Sequence, residues 1–340
     1  FDDLEEHYPE LKEYFDRYPE VKIHAKVLRN QVKNMGKHAG GVIISDLNLK
    51  GRIPVQLDKD DNIISSWAES GNASELSKVG LVKYDILGLN NLPVIGDCVK
   101  LVEEHRGIVI KRADIPINDR ESIRMGAKRD LVGIFQFENP ATREIVDAVE
   151  MENLNDVSAI TSLLRPGPKD LGMHEEYARR KHGAKYDMPD FMREALKETF
   201  GVITYQEQCM NISKLLSGFT GPEANKLRKA IGKKLLDLMA EMKIKFINGA
   251  QVRVKAGEIT SEEVDEVWEQ LEAFAGYGFN KSHAVAYSAI TTVQLWLKYH
   301  YPIEYITALA NNTAQGKKKT SIGVSNLLVH YLNYGRKRGF

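Results

Sequence analysis

Cysteine is scarce in this sequence: Cys98 and Cys209 are the only two in 340 residues. They lie far apart and show no metal-ligand spacing, so neither a disulfide framework nor a structural zinc site is built from them. They read as reduced, structural thiols of a cytoplasmic protein. No apolar run approaches the roughly 20 residues that a membrane-spanning helix needs, and no secretory leader is evident, so no membrane partner is expected. Neither sign of charge prevails, because 47 basic and 47 acidic residues leave a formal net charge of zero. That excludes a protein basic over its whole surface and leaves room for a locally basic groove. Internal repeats and low-complexity runs are missing, apart from a short basic tract at residues 317–319. An initiator Met is missing as well, and the chain is read as part of a longer polypeptide. What is present, 43% hydrophobic and 28% charged residues, is the composition of an ordinary soluble globular protein long enough for two or three domains.

Residues 1–34 are helical in pattern, with Leu4, Tyr8, Leu11 and Phe15 recurring at three or four positions and Pro9 and Pro19 breaking the run into short helices. Over residues 38–88 the period changes. Val42-Ile43-Ile44, Ile53-Pro54-Val55, Ile63-Ile64 and the run from Leu81 to Leu89 are separated by turn residues, which predicts one small sheet. After Leu92 helices dominate. Thr260 with Glu263 is a capping-box signature ahead of the stripe Val264, Val267, Leu271 and Phe274. A helix from about Ser282 through Trp296 to His300 is apolar on most sides and should be central to the core. Loops of fixed shape are expected at Arg165-Pro166-Gly167-Pro168 and over residues 276–281. The fold class is therefore mainly α with a small mixed α/β part.

The most informative stretch is Leu81-Val82-Lys83-Tyr84-Asp85-Ile86-Leu87-Gly88-Leu89. On a strand, residues two apart share a face. Lys83 and Asp85 should stand side by side, with Val82, Tyr84 and Ile86 packed on the other side. A carboxylate and an ammonium on a rigid strand suit a site that holds a metal ion and a polyphosphate together; a charge pair on the wet face of a sheet would look the same. Residues 226–234 hold five cations and no acid. At about 100° per residue Lys226, Lys229 and Lys233 share one face, while Leu227 and Ile231 form the buried stripe bordered by Arg228. Gly232 costs roughly 1 kcal/mol inside a helix, so the helix should end near it. The run is either a phosphate grip or a solvated basic face.

In Gly276-Tyr277-Gly278-Phe279-Asn280-Lys281-Ser282-His283, glycines and aromatics allow close backbone approach to a flat partner, and Asn280 and Lys281 can donate to phosphate or base. This is not a Walker A loop, since no glycine precedes Lys281 at the required place. Glu207 is placed either to reach a metal or to cap and pair. Gln136 and Glu138 alternate with apolar residues in Gly133-Ile134-Phe135-Gln136-Phe137-Glu138 as in an ordinary strand. Arg179, Arg180 and Lys181 read as a solvated cluster, and Lys37-His38-Ala39-Gly40-Gly41 sets two cations before a glycine turn.

Taken in order, these segments resemble the C-family polymerases, the catalytic alpha subunits of bacterial or phage DNA polymerase III. The resemblance is carried by residues 37–43, 82–89, 133–138, 165–168, 202–208, 218–234 and 276–287, and by the helix from 295 to 305 with Lys298-Tyr299-His300-Tyr301-Pro302. It implies thumb-like helices over 1–40, the last strands of a polymerase-β-like palm over 41–90, and helical fingers over 91–340. It implies that Asp85 is a catalytic, metal-binding carboxylate and that Lys83 contacts the triphosphate. Arg228 and Lys229 fall on the phosphate-binding pair of the fingers, where the family commonly has two arginines. Asn280, Lys281, Ser282 and His283 match its nucleotide-facing segment. Lys37, His38, Lys226, Lys233 and Lys234 are the expected DNA-binding residues. Mg²⁺ is the implied cofactor, in a two-metal site whose other ligands lie outside this segment. The family's pair of aspartates has no counterpart here, so the expectation is the carboxyl part of a polymerase core, inactive without an upstream segment. The implied partners are primer-template DNA, dNTPs, that upstream segment and, through regions not present, a sliding clamp and other replisome proteins. A non-catalytic DNA-binding module or a helical protein-interaction scaffold derived from such an enzyme are the alternatives.

Overall fold

The computed structural model describes residues 4, 7–29, 31, 36–67, 75–86, 88–128, 130–233, 235–274, 278–315 and 326–339. The chain forms two compact units, Phe1–Gly88 and Leu89–Phe340.

In the first unit the helices α1 (Pro9–Arg17) and α2 (Pro19–Leu28) each begin on a proline, whose fixed φ and missing N–H suit the first helical turn. Strands β1 (Gly41–Ile44), β2 (Val55–Leu57) and β3 (Ile63–Ser65) follow, then the short α3 (Glu75–Lys78) and β4 (Val82–Asp85). They make two antiparallel ribbons, β1 with β4 and β2 with β3, rather than the single sheet expected from the apolar runs. The core of this unit is small: Ile53, Leu76 and Leu81, with Ile43, Leu49, Val55 and Trp67 packed against it. It covers only one face of the β1–β4 ribbon. On the other face Val42, Ile44, Val82 and Tyr84 are about half exposed, and Ile86 just beyond β4 is 72% exposed. The expectation that Val82, Tyr84 and Ile86 are packed is therefore corrected. Alternation places them on one face, but a two-stranded ribbon supplies no layer to cover it.

The regular structure of the second unit is mainly α-helical among its described residues: α4 (Asn91–Arg106), α5 (Arg120–Ala127), α6 (Pro140–Val149), α7 (Leu154–Leu163), α8 (Pro166–Asp170), α9 (Met173–Lys181), α10 (Asp190–Ala195), α11 (Gln206–Ser217), α12 (Gly221–Lys233), α13 (Leu236–Lys255), α14 (Ser261–Ala273), α15 (Lys281–His300), α16 (Pro302–Gln315) and α17 (Asn326–Lys337). Helix α15 is the axis of one core, packed on α7, α5, α16 and α4. Its inward face is not only apolar, since Ser288, Thr291, Thr292, Gln294 and Lys298 are buried with Leu295 and Leu297. Helices α10 to α14 enclose a second core around Phe246, Trp268, Leu227 and Ile231. The Thr260–Glu263 capping box forms as expected, with Glu263 N–H donating to Thr260 Oγ1 at 3.1 Å and Thr260 N–H donating to Glu263 Oε2 at 2.8 Å.

Three further expectations need correction. Residues 133–138 form turns instead of a strand, with Gln136 at φ +59°. The Arg165–Pro168 segment opens α8, with a proline in its first turn. Arg180 and Lys181 are paired as well as partly buried: Lys181 Nζ donates to the buried Asp156 at 2.8 Å, and Arg180 donates to Glu176 and to the Gly201 carbonyl. Both cysteines are buried, and burial pushes the Cys98 thiol up to about 12 and that of Cys209 higher still, so neither is a reactive thiol.

Candidate functional site

In the first unit the register of the β1–β4 ribbon sets Gly41 opposite Asp85 and Ile43 opposite Lys83. Lys83 and Asp85 thus share a face, and Lys83 Nζ lies 3.1 Å from Asp85 Oδ1. The lysine is largely covered, with 17% of its side chain exposed against 52% for the aspartate, so the carboxylate is the accessible member. His38 closes the group: its Nδ1 lies 3.7 Å from Asp85 Oδ1 and accepts the Gly40 N–H at 3.3 Å. Gly41 makes the arrangement possible. A Cβ there would stand 2.6 Å from Lys83 Cε and 2.9 Å from His38 Nδ1. The bare backbone of Gly41 is the surface on which both side chains lie.

Lys37, the other expected DNA contact of this turn, is bonded through Nζ to Asp58 in the β2–β3 turn. That hydrogen bond raises the lysine's pKa and lowers that of the carboxyl. Asp58 also accepts the backbone N–H groups of Asp60 and Asn62, each at 2.9 Å. Lys37 therefore ties the turn down.

The second unit carries the remaining candidates. On α12, Leu227 and Ile231 are fully buried, Arg228 is half-buried and Lys229 is exposed. Arg228 Nε donates to Asn225 Oδ1 at 2.9 Å, which fixes the guanidinium with its other nitrogens uncommitted among the described residues. Lys226 is engaged by Glu241 of α13 at 2.6 Å. Lys233 ends the helix; its side chain and all of Lys234 lie outside the described residues, as do Gly276 and Tyr277.

Around the start of α15, Asn280 caps the helix, accepting the His283 N–H at 2.9 Å, and donates its amide to Glu207 Oε1 at 2.7 Å. Glu207 Oε2 takes the Lys281 N–H at 2.9 Å, so this glutamate fills the pairing role. Lys281 Nζ is held by Glu198 at 2.6 Å. Ser282 and His283 are exposed, and the His283 ring stacks on Tyr287 with centroids 4.1 Å apart. Glu198 was not singled out from sequence. It lies 83 residues from its partner, and no local pattern reports such a contact. Arg165, whose guanidinium lies 4.3 Å over the Phe279 ring, was read only as part of a loop.

The metal question turns on the donors. Among the described residues no group of three His, Cys, Asp or Glu gathers as a metal cluster. Asp85 offers one exposed hard oxygen donor, which can share in one Mg²⁺. A pair of ions needs more carboxylates than the β1–β4 ribbon supplies.

Comparison with known proteins places these residues. The family model for the bacterial DNA polymerase III alpha NTPase domain matches residues 2–88, and that for the bacterial DNA polymerase III alpha subunit finger domain matches residues 91–253. Lys83 and Asp85 fall in the first match and Arg228 and Lys229 in the second, while residues 280–283 lie beyond both. The chain is 36% identical over 309 residues to DNA polymerase III subunit alpha of Aquifex aeolicus, covering 89% of this chain and 26% of that protein. It is 34% identical over 327 residues to that of Campylobacter jejuni, covering 94% and 27%. To that of Escherichia coli K12 it is 34% identical over 315 residues, covering 88% and 27%. The chain spans about a quarter of the length of these curated relatives. With both compact units matched to adjoining domains of one protein, the chain belongs to the bacterial DNA polymerase III alpha subunit family.

Proposed function

We propose that this chain takes part in template-directed DNA synthesis as the carboxyl part of a replicative polymerase core. The reaction is deoxynucleotidyl transfer. The primer 3′-oxygen bonds to the α-phosphorus of a dNTP, the hydroxyl gives up its proton, and pyrophosphate leaves. The observation that carries the reading is the Lys83–Asp85 pair, seated on Gly41 with an accessible carboxylate inside the segment matched to the family's NTPase domain.

Asp85 is the metal-binding, catalytic carboxylate, sharing Mg²⁺ with carboxylates of an upstream polymerase segment, without which this part is inactive. When bound, Mg²⁺ supplies Lewis acidity toward phosphate and hydroxyl oxygens. Lys83 fixes the Asp85 rotamer and sets a positive charge beside the reacting phosphates. On α12, Arg228 presents a planar fork to phosphate oxygens, and Lys229 adds a point charge. Residues 280–283 face the nucleotide, with Lys281 exchanging Glu198 for a phosphate oxygen. His38, Lys226, Lys233 and Lys234 neutralise duplex phosphates without reading sequence, which leaves specificity to the template base. On this reading residues 1–40 serve as thumb, 41–90 as palm and 91–340 as fingers.

The test is Asp85→Asn in the polymerase that contains this sequence, read by primer extension. Incorporation should fall by about 10³-fold or more, the scale on which removal of an essential catalytic group acts, while primer-template affinity stays within about twofold. Undiminished incorporation overturns the assignment. Salt-sensitive DNA binding indifferent to Asp85 would then mark a non-catalytic module. DNA affinity indifferent to neutralising Lys226, Arg228 and Lys229 would mark a protein scaffold.

A further inference from the structure

We infer that the second unit holds a pocket for an unstacked nucleobase, built on the turns at 133–138 and walled by Leu164 and Tyr331. The cavity is about 490 Å³, in the range of small-ligand pockets. Phe135, Gln136, Glu138 and Asn139 line it together with Leu164 and Tyr331, and among the described residues no lysine or arginine does. A carboxylate without a cation repels phosphate. It accepts from the amino group of a base, as the amides of Gln136 and Asn139 can accept from or donate to a base edge.

The hydrogen bonding within the pocket leaves that capacity open. Tyr331 Oη donates to Glu138 Oε2 at 2.9 Å, but Glu138 Oε1 accepts no hydrogen bond among the described residues. Its nearest cationic candidate is His330 Nε2 at 3.7 Å. Asn139 spends its carbonyl oxygen on the Ala141 N–H at 3.0 Å and keeps its NH₂ for a ligand.

The wall is rigid and strained, as a site would be. Gln136 holds φ +59°, a left-handed conformation that is strained for a residue with a side chain. It is fixed from outside: Phe135 N–H donates to Gln294 Oε1 at 2.7 Å, Thr291 Oγ1 donates to the Phe135 carbonyl at 3.2 Å, and Thr142 Oγ1 donates to that of Gln136 at 3.2 Å. Gly133, at φ +73°, has no room for a Cβ, which would stand 2.2 Å from Leu309 Cδ2. Beside the pocket runs a row of rings. Phe135 lies 5.4 Å from Tyr287, and Tyr287 lies 4.1 Å from the exposed His283. Such rings stack bases irrespective of sequence. A side-chain cation of a protein partner would also satisfy Glu138, but it would leave the ring row without a role.

The inference rests on the nucleic-acid part of the proposed function and not on Asp85. Its test uses the 340-residue chain and fluorescence anisotropy of labelled 12-nucleotide strands, oligo-dC, oligo-dT and an abasic strand of equal charge, at one salt concentration. Oligo-dC should bind about 5-fold or more tightly than the abasic strand, the lower end of what one stacked base contributes. It should also bind better than oligo-dT, which lacks an amino group. Glu138→Gln should bring dC and dT together, and Asp85→Asn should leave their ratio unchanged. Free dCTP that displaces the strand identifies a mononucleotide as the source of the base, and failure to displace it identifies the strand. Equal binding of abasic and base-bearing strands by the unmodified chain overturns the proposal, whatever the fate of the variants. So does a dC preference that survives Glu138→Gln in folded protein. If the base preference holds while Asp85→Asn still incorporates nucleotides, the catalytic reading falls and the pocket stands.

Discussion

At the scale of single residues, two kinds of ion pair divide the work. The Lys83–Asp85 pair is open on its acidic side and seated on a glycine, so it is available for chemistry. Glu152, Glu176 and Glu223 are instead tied into the second unit. The Glu152 carboxyl is held down to about 2 by hydrogen bonds first from Arg120 and then from Arg124. That of Glu176 is held to about 2, chiefly by Arg179, and that of Glu223 to about 2, chiefly by Lys245. An ordinary glutamate titrates near 4.5. The folded protein therefore releases these protons more readily than the unfolded chain does. The stability the three pairs contribute is present in full above pH 4.5 and drains away as pH falls toward 2. A thermal unfolding midpoint followed from pH 6 to pH 3 should be level at first and decline below about 4.5. Glu152→Gln should make that decline shallower, and an unchanged slope would show that the pairs do not couple to folding.

At the scale of elements, α15 joins the parts of its unit through one buried cation. Lys298 Nζ donates to Asp130 Oδ1 at 2.8 Å, to the Asp130 carbonyl at 3.2 Å and to the Val132 carbonyl at 2.8 Å. Tyr334 of α17 and Arg338, just past its end, reach the same carboxylate. Burial lowers the Lys298 pKa even beside Asp130. Burial works to raise that of Asp130, but the Lys298 charge prevails and lowers it. Lys298→Met should cost about 3 kcal/mol by urea denaturation, because it removes the buried cation beside Asp130 and leaves that carboxylate only Tyr334 and the half-exposed Arg338. Adding Asp130→Asn should recover part of the loss; no recovery would mean that packing, not charge, sets the cost. This network also shows where sequence reading stops. Helix α14 was legible because Thr260 and Glu263 are three residues apart, and the Leu227–Ile231 stripe of α12 because burial there follows the helical period. Residues 133–138 alternate as a strand does, yet partners 156 to 172 residues away fold them into turns, through Gln294, Thr291 and Tyr305. The side-by-side placement of Lys83 and Asp85 followed from period two alone. Which face of that ribbon is covered depends on Leu76, Leu81 and Ile53, and alternation within β4 cannot report it.

At the scale of the whole molecule, the two units differ in how much core holds them. The first rests on a core cluster of three buried apolar side chains, Phe15 apart from it, and on two-stranded ribbons, with Val82, Tyr84 and Ile86 exposed. Such ribbons are marginal by themselves. The second packs its helices on two extensive cores containing Trp268, Phe246, Tyr177 and Tyr305, all fully buried. Local opening should follow that difference, since the free energy of opening tracks buried apolar contact. In native-state hydrogen exchange, the amides of β1 and β4 should exchange well before those of Thr291 to Lys298 in α15. Raising denaturant should merge the α15 amides with global unfolding of their unit while β1 and β4 are already open. Asp85 would then stand on an element of low local stability, where binding elements are commonly drawn from, and the Lys83–Gly41 seat would be set by ligand as well as by fold. Equal protection of Val82–Asp85 and of the α15 interior would refute this, and would require a covering layer on the ribbon that the described residues of its own unit do not provide.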